Sequence, residues 1–387
     1  MNGDARRILV LTGTRAEYGL LKSSMEEIRA AEGLELQVVA TGMHLSPRHG
    51  MTVEDIRDDG FTVDREVLMQ MDGDTGKSMA TSLGVGTTGL AEAFDSLDPD
   101  VVLLLGDRDE ALAGALAAAH MNVPVAHVHG GDSMHGAVID DSIRHAITKF
   151  AHIHFSASGR SAGRIERLGE EPWRITTVGA PGLDDVLAEE YEPPERVVDR
   201  HGIDPAEPLV LVVQHPVTTQ QARAGEQMAQ TLDAVESVEA QTVVIYPNSD
   251  AGGDQMIDEI ESRTSGEGRW TFRSLPRGEY LGLMAAADAM VGNSSSGIIE
   301  SPSFGLPVVD VGPRQEGRER ADNTVSVPHD TDAIADALGR CLDDEAFRER
   351  AESCENPYDY GGAGVRIRER LLEVELGESL IRKRLTY

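Results

Sequence analysis

Between Pro99 and Phe155 three short apolar runs, Val101–Leu105, Val123–Val128 and His152–Phe155, alternate with two segments of helical period. This stretch constrains the fold more than any other. Runs of β-type residues separated by helical periods read as βαβ units in a parallel sheet. Acidic residues stand where a run ends or a helix begins: Asp107 after the first run, Asp132 after the second, and Asp140 and Asp141 at the start of the second helix. Ligands of open α/β sheets bind beyond the carboxyl ends of the strands. The pattern therefore places several carboxylates at one edge of one sheet.

The same pattern begins earlier. Arg7–Leu11 reads as a buried strand, followed by Gly13-Thr14-Arg15-Ala16-Glu17-Tyr18-Gly19 and a helix with Leu21, Met25 and Ile28 on one face. Gly33 is placed to end that helix as a left-handed cap, and strand Leu34–Ala40 runs into Thr41-Gly42-Met43-His44. A Gly-Thr-Arg turn between strand and helix suits an anion through free N–H groups, the helix dipole and the Arg15 guanidinium. Gly73-Asp74-Thr75-Gly76-Lys77-Ser78 imitates a P-loop, but Met71 stands where the first Gly belongs and no strand precedes it. A helix start near Thr75 is the expectation instead.

Asp109–His120 is expected to be helical with Leu112, Leu116 and Ala119 facing in, and Asp140–Phe150 with Ile143, Ile147 and Phe150 as its apolar stripe. Asp140 and Asp141 also suit a helix start for electrostatic reasons alone. Asp132 follows Gly130-Gly131, which permits close backbone approach to a ligand. His127, His129, His135 and His145 invite a metal reading, since His-x-His with a nearby Asp occurs in metallohydrolases. His127 and His129 end a parallel strand on one face, where satisfied or substrate-facing histidines are commoner, and neither a metal nor a cofactor is expected.

Strand Ile175–Val178 precedes a charged segment, Tyr191–Pro208, with Pro193, Pro194, Pro205 and Pro208; it reads as a linker. The βα pattern then restarts with strands Leu209–Gln214 and Thr242–Tyr246. Polar residues again follow the strands: His215, then Asn248-Ser249-Asp250. Strand Ala289–Val291 feeds Gly292-Asn293-Ser294-Ser295-Ser296-Gly297 and a helix near Gly297–Phe304, before strand Pro307–Val311. Hydroxyls and N–H groups at Ser294, Ser295, Ser296 and Gly297 suit a pyrophosphate, although a polar N-cap cluster has the same composition. Glu300 lies one turn on, within reach of ribose hydroxyls, and Arg314 and Arg318 can balance phosphate charge. The last helix, Gly364 to about Arg382, is long enough to cross back onto the first domain. The expectation is an α/β protein of two Rossmann-like domains facing a cleft: 1–190, 191–363, and the returning helix 364–387.

Composition excludes some partners. The 387 residues carry a formal net charge of −32, which repels nucleic acid and anionic membrane. Lysine occurs only at Lys22, Lys77, Lys149 and Lys383. Acidic, lysine-poor chains suit a high-salt cytoplasm, where screening weakens self-repulsion; the alternative is an ordinary acidic enzyme from a GC-rich genome. Two late cysteines, Cys341 and Cys354, make no disulfide framework. No signal-like segment or membrane span is read, so a cytoplasmic location is expected.

Gly13-Thr14-Arg15-Ala16-Glu17-Tyr18, Gly106-Asp107-Arg108, His127-Val128-His129-Gly130-Gly131, Asp140-Asp141-Ser142-Ile143-Arg144-His145, Gly292–Gly297 and Arg314-Gln315-Glu316-Gly317-Arg318 together resemble the hydrolysing UDP-N-acetylglucosamine 2-epimerases, in order and over almost the whole chain. His215-Pro216-Val217, with the His127 and Asn293 motifs, follows this branch and not the non-hydrolysing epimerases. The resemblance implies a glycosyltransferase-B fold, a homodimer or higher oligomer, and a UDP-sugar substrate, UDP-N-acetylglucosamine or a close analogue. It implies elimination of UDP through 2-acetamidoglucal and hydration to N-acetylmannosamine or its 2,4-diacetamido-6-deoxy analogue, for sialic or legionaminic acid synthesis. Asp107, Asp132, Asp140, Asp141 and His215 are the implied catalytic residues. Arg15, His44, Arg108, His129, His145, Asn248, Asp250, Asn293, Ser294–Gly297, Glu300, Arg314 and Arg318 are the implied binding residues. One departure stands out: the branch commonly has Glu where this chain has Asp132, whose reach is a methylene shorter. The alternatives on the same fold are a non-hydrolysing 2-epimerase and a glycosyltransferase; a third is a non-catalytic nucleotide-sugar-binding protein.

Overall fold

The computed structural model describes residues 5–47, 50–71, 75–134, 138–248, 250–263 and 268–387. The chain divides into two compact units. The first holds the residues up to Asp132, Ile139–Asp184 and Tyr358–Tyr387, and the second holds Asp185–Pro357 with Ser133 and Met134. Among the described residues no helix is long and apolar enough to cross a membrane.

In the first unit the strands are β1 (Arg6–Thr12), β2 (Leu34–Thr41), β3 (Arg65–Val67), β4 (Val101–Leu105), β5 (Val125–Val128), β6 (Ile153–Ser156) and β7 (Ile175–Thr177). They form one sheet in the order β3-β2-β1-β4-β5-β6-β7, with every neighbouring pair parallel. Such a sheet is covered on both faces, which is why its central strands carry apolar runs such as Ile8–Leu11 and Val101–Leu105. Alternate side chains separate: Ile8 and Val10 join Leu21, Met25 and Ile28 of helix Arg15–Ala30 and Ile367 and Leu371 of helix Ala363–Glu373 on one face. Leu9 and Leu11 join Leu90, Phe94, Ile143 and Ile147 on the other.

Helix Asp109–His120 buries a different face from the expected one. Ala111, Ala113, Ala115, Ala117 and Ala118 are buried, while Leu112, Leu116 and Ala119 are half-buried. The reason is close approach: a Cβ on Gly114 would stand 2.6 Å from Leu11 Cδ2, so only small residues fit against the sheet. Helix Arg15–Ala30 ends at an extended Ala31, not at Gly33. Gly33 takes φ +94° in the following turn, where its carbonyl accepts from Arg6 N–H at 2.9 Å. Of the P-loop imitation, Gly73 and Asp74 lie outside the described residues. Thr75 caps helix Gly76–Leu97 in a capping box with Ser78.

The second unit has β8 (Leu209–Val213), β9 (Gln241–Ile245), β10 (Arg269–Phe272), β11 (Ala289–Gly292), β12 (Val308–Val311) and β13 (Thr324–Val327). Their order is β10-β9-β8-β11-β12-β13, again all parallel. Three expectations change. The proline-rich linker contains helix Pro194–His201, with Pro194 in the first turn and Gly202 at φ 68° closing it; proline is at home in a first turn, and Val197 is fully buried among this unit's apolar residues. The helix after the serine run is only Ser296–Ile299, followed by a 3-10 turn, Ser301–Phe304, that contains Pro302. The terminal helix is two pieces, Ala363–Glu373 and Glu378–Ile381.

Each strand order reverses once, at β1/β4 in the first sheet and at β8/β11 in the second. These are the switch points at which doubly wound sheets open a crevice beyond their carboxyl ends.

Candidate active site

At the end of β1 the turn serves the protein itself. Thr14 Oγ1 accepts from Glu17 N–H at 3.2 Å, and Glu17 Oε2 accepts from Gly13 N–H at 2.6 Å. The Gly13 and Glu17 N–H groups of the turn are thus paired within the protein. Glu110 fills the remaining space, since a Cβ on Gly13 would be 2.6 Å from its Cγ and one on Gly42, at φ +57°, would be 2.5 Å from its Oε1. Burial, followed by the nearby Glu110 carboxylate, pushes the Glu17 carboxyl up to about 8. Arg108 Nε faces Glu110 Oε2 at 3.4 Å, and Arg15 Nε pairs with Asp55 at 2.8 Å. His44 is fully buried, with Nε2 at 3.0 Å from Thr12 Oγ1 and Nδ1 at 2.8 Å from Thr52 Oγ1. Burial lowers it to about 4. It is a neutral ring held between two threonine hydroxyls.

Beyond β4, Gly106 at φ +77° turns the chain and leaves Asp107 partly exposed. Its carboxylate forms an ion pair with Arg144 Nη2, while Arg144 Nη1 donates to the His129 carbonyl at 2.9 Å. Burial works against the Arg144 charge, but Asp107, Asp132, Asp141 and Asp140 outweigh it and raise its pKa. A guanidinium that is 2 % exposed therefore stays charged, with Asp107 as its direct partner. Sequence reading passed over Arg144. The available signal was its position three and four residues after Asp141 and Asp140 on helix Val138–Phe150. On that helix His145 Nε2 also lies 3.6 Å from Asp141 Oδ2.

The β5 end differs from expectation. His127 is enclosed, with Nε2 bonded to the Gly106 carbonyl at 2.8 Å, and burial lowers it to about 3. His129 leaves the strand at φ +62°, so the two histidines do not share a strand face. Asp132 is 3 % exposed: Oδ1 accepts from Ser161 Oγ at 2.6 Å and Oδ2 faces His129 Nδ1 at 3.2 Å. This carboxylate orients the His129 ring within the fold. The Gly131 turn, at φ +78°, accommodates protein and not ligand, because a Cβ there would be 2.2 Å from the Ser161 carbonyl. His135 lies outside the described residues.

In the second unit the switch point is stitched by Asn293, 1 % exposed. It accepts from His215 N–H at 2.7 Å and donates to the His215 carbonyl at 2.9 Å. His215 Nδ1 accepts from Asn248 N–H at 3.1 Å, which places the ring proton on Nε2. Asn248 Nδ2 donates to Asp250 at 2.7 Å; Ser249 lies outside the described residues. Arg314 Nη1 and Gln315 Nε2 donate to the Asn293 carbonyl at 3.2 and 2.9 Å.

The serines are linked side chain to side chain: Ser294 Oγ to Ser296 Oγ at 2.9 Å, and Ser296 Oγ to Tyr280 Oη at 2.6 Å. Tyr280 is a further partner that sequence reading missed. Ser295 is half-exposed, and Gly297 packs where a Cβ would meet Val308 Cγ1 at 3.1 Å. A four-residue helix adds little dipole, so hydroxyls and backbone must supply any anion contacts. Glu300 is buried, 3.6 Å from Arg277 Nη1. Arg318 is nearly buried and donates to Met134 Sδ at 3.1 Å, while its Nε and Nη1 have no acceptor among the described residues.

Two doubly wound parallel units, each with polar groups gathered at its switch point, define a protein of the glycosyltransferase-B class of fold. The model of the UDP-N-acetylglucosamine 2-epimerase family matches residues 26–372, and the chain belongs to that family. It is similar to the UDP-N,N'-diacetylbacillosamine 2-epimerase (hydrolyzing) of Legionella pneumophila, with 37% identity over 98% of both chains. It is 34% identical to a UDP-N-acetylglucosamine 2-epimerase of Neisseria meningitidis over 86% of each. Among solved structures, a Neisseria meningitidis UDP-GlcNAc 2-epimerase bound to UDP-GlcNAc superposes with a TM-score of 0.82 at 18% identity, covering 95% of this chain and 100% of that one. This last likeness concerns the fold.

Proposed function

We propose that the chain is a hydrolysing nucleotide-sugar 2-epimerase acting on a UDP-linked 2-acetamido sugar, either UDP-N-acetylglucosamine or its 2,4-diacetamido-6-deoxy analogue. The observation that carries the reading is the end-to-end similarity to the hydrolysing Legionella pneumophila enzyme. In the first step a base takes the C2 proton while the C1–O bond breaks and UDP leaves with the electron pair, giving a 2-acetamidoglucal. In the second, water adds its hydroxyl to C1 and a proton reaches C2 from the opposite face. Such chemistry needs a base, an acid and donors for the leaving diphosphate.

Asp107, half-open beside Arg144, and Asp140 and Asp141 are the groups assigned to proton transfer. Asp132 orients His129. His215 Nε2, the serines and Arg314 and Arg318 are assigned to the diphosphate; the buried Arg318 N–H groups without acceptors support an anion there, because buried donors are normally paired. Glu300 is assigned to the ribose. The reading places the enzyme in the cytoplasm of a salt-rich cell as a homodimer or higher oligomer. The test is a time course in deuterated water with each UDP-sugar and no acceptor, read by proton NMR. Free UDP together with the inverted C2 sugar, deuterated at C2, is expected. Release of a UDP-linked epimer, or no turnover until an acceptor is added, overturns it.

A further inference from the structure

Lys383 lies far from the assigned groups in sequence, yet it is tied to the helix that carries Asp140, Asp141 and Arg144. Its ammonium donates to the carbonyls of Ala151 at 2.6 Å, Lys149 at 2.8 Å and Thr148 at 3.3 Å. These belong to the last turn of helix Val138–Phe150 and the residue after it. A helix leaves its last carbonyls unpaired, at the negative end of its dipole, where a cation is favoured. The fourth neighbour is Glu170 Oε2 at 2.7 Å. Glu170 is 1 % exposed and also receives Lys149 Nζ and His154 Nε2, so two of the four lysines in the chain meet on one buried carboxylate.

The segment bearing Lys383 is fixed in turn. Arg174, 1 % exposed, donates to the carbonyls of Ser379 at 3.0 Å and Leu380 at 2.8 Å, and Thr386 N–H reaches the Gly169 carbonyl at 3.3 Å. Burial pulls Lys383 down to about 8 against the pull of Glu170. Burial opposes the Glu170 charge too, but the bonds from His154, Lys149 and Lys383 outweigh it and hold Glu170 at about 2. His152, lowered to about 4 by burial, and Arg174 complete the charged groups around the pair.

We infer that Lys383 is a positioning residue for the reaction: by capping the far end of Val138–Phe150 it fixes where that helix presents Asp140, Asp141 and Arg144 to Asp107. The helix has 13 residues, so a tilt at its capped end is carried to its first turn, and a misplacement of about 1 Å at reacting groups costs on the order of a hundredfold in rate. The inference rests on the assignment of proton transfer to this helix.

The experiment compares K383M, K383R and D107N, each as the full chain, on whichever of UDP-N-acetylglucosamine and UDP-N,N'-diacetylbacillosamine the unaltered protein turns over. K383M is expected to lose about tenfold in kcat with KM within about twofold, to retain a cooperative melt, and K383R to restore most of the rate. A kcat for K383M within twofold of the unaltered protein, a KM that rises in step with the loss, or a K383R no better than K383M overturns the inference. If K383M does not melt cooperatively, K383Q, which keeps an N–H donor without the charge, is read by the same criteria. D107N separates the two ideas. If it retains full turnover the catalytic assignment falls; if it is inactive while K383M is unimpaired, only the positioning role falls.

Discussion

Glu17 keeps a carboxyl group where solvent scarcely reaches it, and its charge state follows from that. Its folded pKa of about 8 lies above the ordinary 4.5, so the folded state holds a proton that the unfolded state releases. The stability this proton contributes is fully present below about 4.5 and is lost as the pH rises through about 8. E17Q replaces the protonated acid with a neutral group of the same shape. Between pH 5 and pH 8 the unaltered protein is expected to lose about 3–6 °C of melting temperature relative to E17Q; parallel differences at both pH values would show that Glu17 is ionised throughout. Glu17 was visible in the sequence only as part of a Gly-Thr-Arg turn, because nothing local records that Glu110, from the first turn of helix Asp109–His120, closes on the same glycines. His44 and Asp132 carry the same lesson. Residue type and strand-end position singled them out, but the partners of their polar atoms, Thr52 and Ser161, come from elsewhere in the chain.

At the scale of elements, strands and helices were largely readable because the central parallel strands are apolar and the covering helices keep their period. What the pattern could not reveal was distance between elements. Gly114 and its alanine neighbours let helix Asp109–His120 lie close on Leu11 and Leu104, and a hydrophobicity count therefore chose the wrong face. The proline-rich segment differs in another way: it reads as a linker, whereas Pro194 begins a helix. The turn after β5 shows the consequence of close approach most sharply. Gly131 combines φ +78° with a Cβ position 2.2 Å from the Ser161 carbonyl, and Ser161 also holds Asp132. G131A must strain the backbone and push Ser161 away at once. The expected cost is about 2–4 kcal/mol in chemical denaturation, with a fall in kcat of at least about tenfold as Asp132 and His129 shift. A G131A protein with unaltered stability would show that the turn has room, and the account of Asp132 as an anchored carboxylate would fail with it.

For the whole molecule, two Rossmann-type sheets were legible as two restarts of one pattern, each with one switch point in its strand order. The chain's other global property is its charge. With 67 acidic against 35 basic residues, folding gathers like charges that the unfolded chain spreads out, and self-repulsion opposes the compact state. Many of the arginines are already spent on local pairs, such as Arg263 with Asp233 and Glu259, Arg200 with Glu192, and Arg368 with Glu27. Exposed pairs of this kind contribute little, and they leave the net excess of 32 negative charges unbalanced. Screening is the remaining remedy. Raising potassium chloride from about 0.1 to about 1 M shortens the screening length from about 10 to about 3 Å, which weakens repulsion between distant carboxylates more than attraction within a contact pair. The melting temperature is therefore expected to rise by at least about 5 °C over that range, followed by differential scanning calorimetry, with sodium chloride giving a similar rise because the effect is one of ionic strength. A flat or falling melting temperature would mean that the surface pairs matter more than the net charge, and the inference of a salt-rich setting would lose its physical basis.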